Sequence, residues 1–164
     1  MQRKIFKLHG RDRADEMGDL MGRYRLIFLF FSIAFFFLGI LIYAFLRDIN
    51  SMILFQYIPK MPWLSRLHIP IKAESLWSKI LLYNLSDGFW CLSALLFVRA
   101  IWLHNIWWCT AYSLIFIIIA LSFEFSQLSE KIPGTFDIMD LVSICFFALL
   151  EYFIFYKIIK RKLV

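Results

Sequence analysis

Long apolar segments alternate with shorter polar ones along this chain. The first, residues 26–46, runs for 21 positions without a charged side chain. A helix needs about 20 mostly apolar residues to cross the hydrocarbon core of a bilayer. Three further mostly apolar segments follow at residues 87–103, 106–123 and 137–156, although the first of these contains Asp87 and Arg99 and the last contains Asp137, Asp140 and Glu151. The sequence therefore predicts an all-α integral membrane protein, a four-transmembrane-helix bundle that forms one membrane domain over residues 26–156.

The connections between these spans differ greatly in length. Only His104 and Asn105 separate the second span from the third, which predicts a tight antiparallel hairpin. Residues 47–86 form a long outer loop in which three prolines interrupt any long helix. Within this loop, residues 73–83 carry most of their apolar side chains on one helical face, which favours a short interfacial helix. An ordinary helix outside the membrane is the alternative.

Composition agrees with the membrane assignment. Of the 164 residues, 62% are hydrophobic and 18% are charged, whereas soluble domains are about 45–50% apolar. A single soluble core of this size cannot bury so much apolar surface, which argues against a soluble enzyme. The three cysteines fall inside predicted spans without the paired spacing of metal sites, which indicates small buried side chains. The sequence has no phosphate-binding loop, dinucleotide fingerprint or nucleophile elbow.

The distribution of basic residues predicts the orientation. Four spans place both termini on one side, and 12 of the 18 Lys and Arg residues fall on that side. Because cytoplasmic segments are enriched in Lys and Arg, both termini are predicted to be cytoplasmic, with residues 1–25 as an N-terminal tail and 157–164 as a basic tail. The net charge of +6 therefore indicates topology and attraction to anionic membrane lipids, not nucleic-acid binding.

Four acidic residues lie at the outer ends of predicted spans. Asp87 opens the second span, Glu124 closes the third, and Asp137 and Asp140 open the fourth. Gln127 follows Glu124 at a spacing of three, which places both on one helix face where the helix continues. If the three helices pack together, these five side chains converge at one depth and form a candidate ligand site.

Two interpretations of these acids stay open. Asp87 and Asp137 stand at helix starts, where aspartate caps backbone N–H groups and suits the helix dipole. Glu124 stands at the end of a helix, which disfavours an anion, and Asp140 lies about one turn inside its span. Ionisable residues at membrane depth are candidates for function. Clustered carboxylates share protons or a cation, and oxygen ligands suit Mg²⁺ or Ca²⁺, so metal and cofactor stay open.

One further acid, Glu151, has a candidate partner of its own. It lies 14 residues into the fourth span, and Arg99 lies 12 residues into the second. Because both helices run from outside to inside, the two charges fall at similar depth near the cytoplasmic interface. We expect a structural ion pair between them, with snorkelling of each side chain to the interface as the alternative.

Three short motifs carry a family resemblance, at residues 86–90 (SDGFW), 124–127 (EFSQ) and 133–140 (PGTFDIMD). They resemble the VanZ-like family of small polytopic bacterial membrane proteins over about residues 84–156. That family has an acid early in one span, E-x-x-Q at the end of the next, and two acids three apart opening the last. The resemblance implies a bacterial cytoplasmic (inner) membrane, envelope physiology and a family associated with resistance to a glycopeptide antibiotic. It carries over the same ligand candidates, which are Asp87, Glu124, Gln127, Asp137 and Asp140.

These observations favour an envelope protein whose outward-facing carboxylate cluster binds a lipid-linked envelope intermediate or a cationic ligand. One alternative is a membrane enzyme acting on an envelope lipid, with Glu124 or Asp140 as general base, although no nucleophile or metal triad is evident and no catalytic residue is assigned. The others are a small proton- or cation-coupled carrier, which would need to oligomerise, and a structural assembly subunit. In each case membrane lipids are the surrounding partners.

Overall fold

A computed structural model of the chain describes residues 2–43, 84–129 and 136–156, with side chains from residue 17 onward in the first range. These residues form four helices and no strand: α1 (Gln2–Leu41), α2 (Leu85–Trp102), α3 (Ile106–Leu128) and α4 (Ile138–Phe155). All four are long and apolar enough to cross a membrane, with Met17–Leu41 as the candidate span of α1. The chain is therefore a multi-pass membrane protein.

The first helix is much longer than its apolar segment. It begins at Gln2 and continues without a break to Leu41, so the described part of the predicted tail belongs to the same helix as the first span. No proline falls within it, and its charged residues are mostly good helix formers. At 1.5 Å per residue its 40 residues reach about 60 Å, roughly twice the thickness of a bilayer core.

The other predicted boundaries need smaller corrections. Helix α3 continues to Leu128, five residues beyond the predicted end, because no glycine or proline follows until residue 133. Helices α2 and α4 begin and end within two residues of the prediction. Residues 44–83, which include the end of the predicted first span and the predicted interfacial helix at 73–83, lie outside the described residues, as do 157–164.

Helix α2 lies at the centre and packs against α1, α3 and α4. Nine of its residues are buried, against three in α3. The apolar core draws on three helices and the turn after α2, with its buried members at Phe28, Leu92, Leu96, Ala100, Leu103, Phe147 and Phe155. The outward faces carry exposed apolar side chains such as Leu26, Ile118 and Phe153, as expected for surfaces in contact with lipid tails.

Small residues bring α1 and α2 close together in antiparallel orientation. Ser32 and Ser93 exchange hydrogen bonds, since each hydroxyl donates to the other's backbone carbonyl at 2.9 and 2.8 Å. At Gly39, a β-carbon would collide with the Trp90 indole, so only glycine permits this approach. Small residues and serine hydrogen bonds are typical of helix contacts in membranes.

The contact between α2 and α4 is parallel and equally close. A β-carbon at Gly88 would collide with the Phe147 ring and the Ser143 hydroxyl. At the other end of α2, a short turn leads into α3, and the Asn105 side chain caps α3 by accepting from the N–H groups of Trp107 and Trp108. The predicted tight hairpin between the second and third spans is confirmed.

Candidate functional site

Helices α2 and α4 begin, and α3 ends, at the same end of the bundle. We call it the carboxylate end, because Asp87, Glu124, Asp137 and Asp140 all lie there. The opposite end, which holds the α2–α3 turn, is called the hairpin end. The chain direction alone places the four predicted acids at this end, and the structure adds the surroundings of each one.

Asp140 is held at the junction of α2 and α4. The residue is 8% exposed, and its carboxylate accepts a hydrogen bond of 2.8 Å from the side-chain amide of Asn84, a residue that is 3% exposed. The Ser143 hydroxyl, one turn further along α4, donates to the backbone carbonyl of Asn84 at 2.8 Å. Asn84 thus joins the start of α2 to the first turn of α4 by two hydrogen bonds and fixes the position of the Asp140 carboxylate.

Neither Asn84 nor Ser143 was predicted from the sequence as part of this site. Asn84 immediately precedes α2 and is its N-cap residue, although its side chain makes no capping hydrogen bond. Because the Asn84 side chain does not cap α2, its amide is available to donate to Asp140 on the neighbouring helix α4. A polar residue just before a predicted span was the available signal, but its partner depends on how α2 and α4 are aligned.

Glu124 lies on the only face of α3 that is turned toward the bundle. The buried residues of α3 are Cys109, Ser113 and Glu124, so two of the three buried positions on this face carry polar side chains. The neighbours Phe123 and Phe125 are more than half exposed and point outward. Because α3 continues to Leu128, Glu124 lies about one turn inside the helix and not at its end, and half-buried Gln127 follows on the same helix.

Asp137 has a local structural role. It is the N-cap of α4, it is exposed, and its carboxylate accepts from the Met139 N–H at 2.9 Å. The capping interpretation therefore accounts for Asp137. Asp87 differs, because it lies half-buried in the first turn of α2, three residues after Asn84. A carboxylate in the first turn is stabilised by the helix dipole. Asp87 also adds negative charge to the carboxylate end.

The described residues contain no group of three or more His, Cys, Asp or Glu side chains arranged to hold a metal ion. The predicted convergence of carboxylates therefore does not take the form of a ready-made Mg²⁺ or Ca²⁺ site in this part of the chain. The arrangement instead offers buried hydrogen-bond acceptors on two helices, Glu124 on α3 and Asp140 on α4.

Arg99 and Glu151 are in contact, as expected from their depths. The guanidinium donates to both carboxylate oxygens, from Nε at 2.6 Å and from Nη2 at 3.2 Å, and both side chains are at most 4% exposed. Arg99 also donates to the Cys109 thiol at 3.0 Å and lies 3.8 Å from the centre of the Phe155 ring. The cluster thereby links α2, α3 and α4 near the hairpin end.

The three cysteines do not share one environment. Cys109 is fully buried and accepts from Arg99, so it is more than the small apolar filler expected from the sequence. Cys91 is half-buried, with its sulfur 4.0 Å from the Ile144 carbonyl oxygen, and Cys145 is exposed on the outside of α4. The prediction that the three cysteines are small buried side chains was therefore wrong for Cys145.

Comparison with protein-family models, with curated proteins and with solved structures finds no match to this chain.

Proposed function

We propose that this chain is a VanZ-like bacterial inner-membrane protein of envelope physiology, and that its carboxylate end faces outward and binds a lipid-linked or cationic ligand. The observation that carries this proposal is the burial of two acidic residues at one end of the bundle, Glu124 on α3 and Asp140 on α4, each residue 8% exposed. Ionisable side chains inside apolar helices are costly and mark binding or transport sites by default.

The chemistry of these groups defines what they bind. An ionised carboxylate only accepts hydrogen bonds, so the site favours ammonium groups and hydroxyl-rich head groups over bare anions. Asn84 supports this role because its amide fixes one oxygen of Asp140 at 2.8 Å and so orients the carboxylate. The ligand's apolar part would remain in the bilayer beside the exposed rings of Phe123 and Phe125.

The orientation rests on the bias of basic residues, which favours cytoplasmic termini and an outward carboxylate end. The envelope assignment rests on the resemblance of the three motifs to the VanZ-like family. Among the residues that carry this resemblance, four keep a candidate role in binding, namely Asp87, Glu124, Gln127 and Asp140. Asp137 is assigned a role as a helix cap.

The test is native mass spectrometry with lipidomics on protein purified from bacterial membranes. Glu124→Gln and Asp140→Asn remove the two buried charges, and Asp137→Asn is the matched control because it removes an exposed charge three residues from Asp140. We expect the wild type and Asp137→Asn to retain the same co-purifying lipid or amine, and the two buried variants to lose it. Identical retention in all four proteins, or no specific species with the wild type, would refute the proposal.

A further inference from the structure

A second polar arrangement lies at the hairpin end, remote from the carboxylates. Arg25 of α1 extends to the α2–α3 turn, where its Nη2 atom lies 3.1 Å from Nδ1 of His104, a residue 79 positions away in the sequence. Both side chains are exposed. A guanidinium can only donate, so Nδ1 of the imidazole is the acceptor in this contact. The pair therefore presents further N–H donors to its surroundings.

Aromatic rings fix the depth of this pair in the membrane. The His104 ring stacks on Trp102 at a centroid distance of 5.9 Å, and Trp102 stacks in turn on Tyr112 at 5.3 Å. Trp107, at the start of α3, is 84% exposed. Tryptophan and tyrosine concentrate at the level of lipid head groups, so the rings place the Arg25–His104 pair at that level.

The local charge is positive. Arg23 and Arg25 both stand exposed just before the apolar part of α1, and the described first turn of α3 carries no acidic side chain. The start of α3 adds the positive end of its helix dipole close to the turn. A group that carries a single negative charge and several acceptor oxygens complements these donors.

From these observations we infer that Arg25 and His104 form a binding site for the phosphate of an anionic glycerophospholipid, with Trp107 against the glycerol and upper acyl chain. The lipid is favoured because the donors lie at head-group depth and next to exposed apolar rings. Arg25 makes the charged contact, and His104 is a positioning residue that holds the guanidinium by accepting from it. The site is independent of the carboxylate end, so neither proposal depends on the other.

The test compares lipid binding to the full chain in nanodiscs of phosphatidylcholine doped with phosphatidylglycerol, measured by native mass spectrometry of the released protein. Arg25→Gln removes the charged contact, and Arg23→Gln is the matched control because it removes the same charge two residues away. We expect phosphatidylglycerol to be retained in preference to phosphatidylcholine, and Arg25→Gln to weaken that preference roughly tenfold, as for loss of a charge-assisted hydrogen bond. Arg23→Gln should weaken it much less, because Arg23 adds to the local charge but does not form the contact with His104 that Arg25 makes.

Three results would overturn this inference. Equal retention of the two lipids would show that no anionic site exists, and equal losses in the two arginine variants would show only general attraction. Displacement of phosphatidylglycerol by millimolar inorganic phosphate would show a free-anion site in place of a lipid site. His104→Ala serves as the second variant, and its expected partial loss of preference, with unchanged thermal unfolding, supports the positioning role.

Discussion

The Arg99 guanidinium and the Glu151 carboxylate meet at two points inside the bundle, with both side chains at most 4% exposed. The contact joins two parallel helices at a level where neither charge reaches water easily. Arg99 also donates to the Cys109 thiol of α3. The pair therefore ties three of the four helices together near the hairpin end.

Removing one partner should destabilise the bundle more than removing both. Arg99→Met or Glu151→Leu leaves a buried charge without its counterion, and breaking such a pair costs about 3–5 kcal/mol. The double variant leaves no charge, so its free energy of unfolding should exceed that of either single variant. Reversible unfolding in mixed detergent micelles gives the free energy of unfolding of the wild type, the two single variants and the double variant. Additive losses in the double variant would contradict a direct interaction between the two charges.

Gly88→Ala should destabilise the contact between α2 and α4. The added methyl group would collide with the Phe147 ring and with the Ser143 hydroxyl, which already donates to Asn84. Overpacking of this kind costs about 1–3 kcal/mol. Gly22→Ala is the matched control, because nothing lies within 4 Å of a β-carbon there and alanine favours the helix. A lower thermal unfolding temperature only in Gly88→Ala confirms the close approach, and equal temperatures would argue against it.

The Arg99–Glu151 contact was predictable from the sequence because opposite charges at similar depth within apolar helices tend to pair with one another. Both helices run in the same direction, so counting residues from their starts locates each charge along the membrane normal. The same reasoning located the acids at the carboxylate end. The hairpin was also predictable, because a connection of only two residues between two spans requires them to lie side by side in antiparallel orientation.

The features that the sequence did not predict depend on how the helices are rotated about their axes and on where each helix ends. The contact of Asn84 with Asp140 requires a particular rotation of α2 against α4, which hydropathy does not define. Glu124 lies inside α3 because a single charged residue does not by itself end a helix, and no glycine or proline follows until residue 133. For the same reason α1 continues through its charged part to Gln2, although the apolar pattern begins only at residue 26.

Asn84→Ala should weaken both stability and ligand retention. It deprives the buried Asp140 carboxylate of a hydrogen-bond donor, and such a loss costs about 1–3 kcal/mol. Asn105→Ala is the matched control, because it removes a cap at the hairpin end and should cost about 1 kcal/mol without touching the carboxylate end. Thermal unfolding and the amount of co-purifying ligand are the two measurements. Loss of ligand in both variants would indicate general destabilisation and contradict a specific role for Asn84.

The proposed orientation predicts which ends of the helices a membrane-impermeant thiol reagent reaches in intact cells. Asp137 is exposed at the carboxylate end, and Gly18 is exposed on α1 with nothing within 4 Å of a β-carbon. In a background with the three native cysteines replaced by serine or alanine, Asp137→Cys should be labelled from outside and Gly18→Cys should not. Both should be labelled after permeabilisation, which controls for reactivity. The physical basis is that the positively charged termini remain in the cytoplasm. Labelling of Gly18→Cys in intact cells, with Asp137→Cys protected, would reverse the orientation and place the carboxylate end in the cytoplasm.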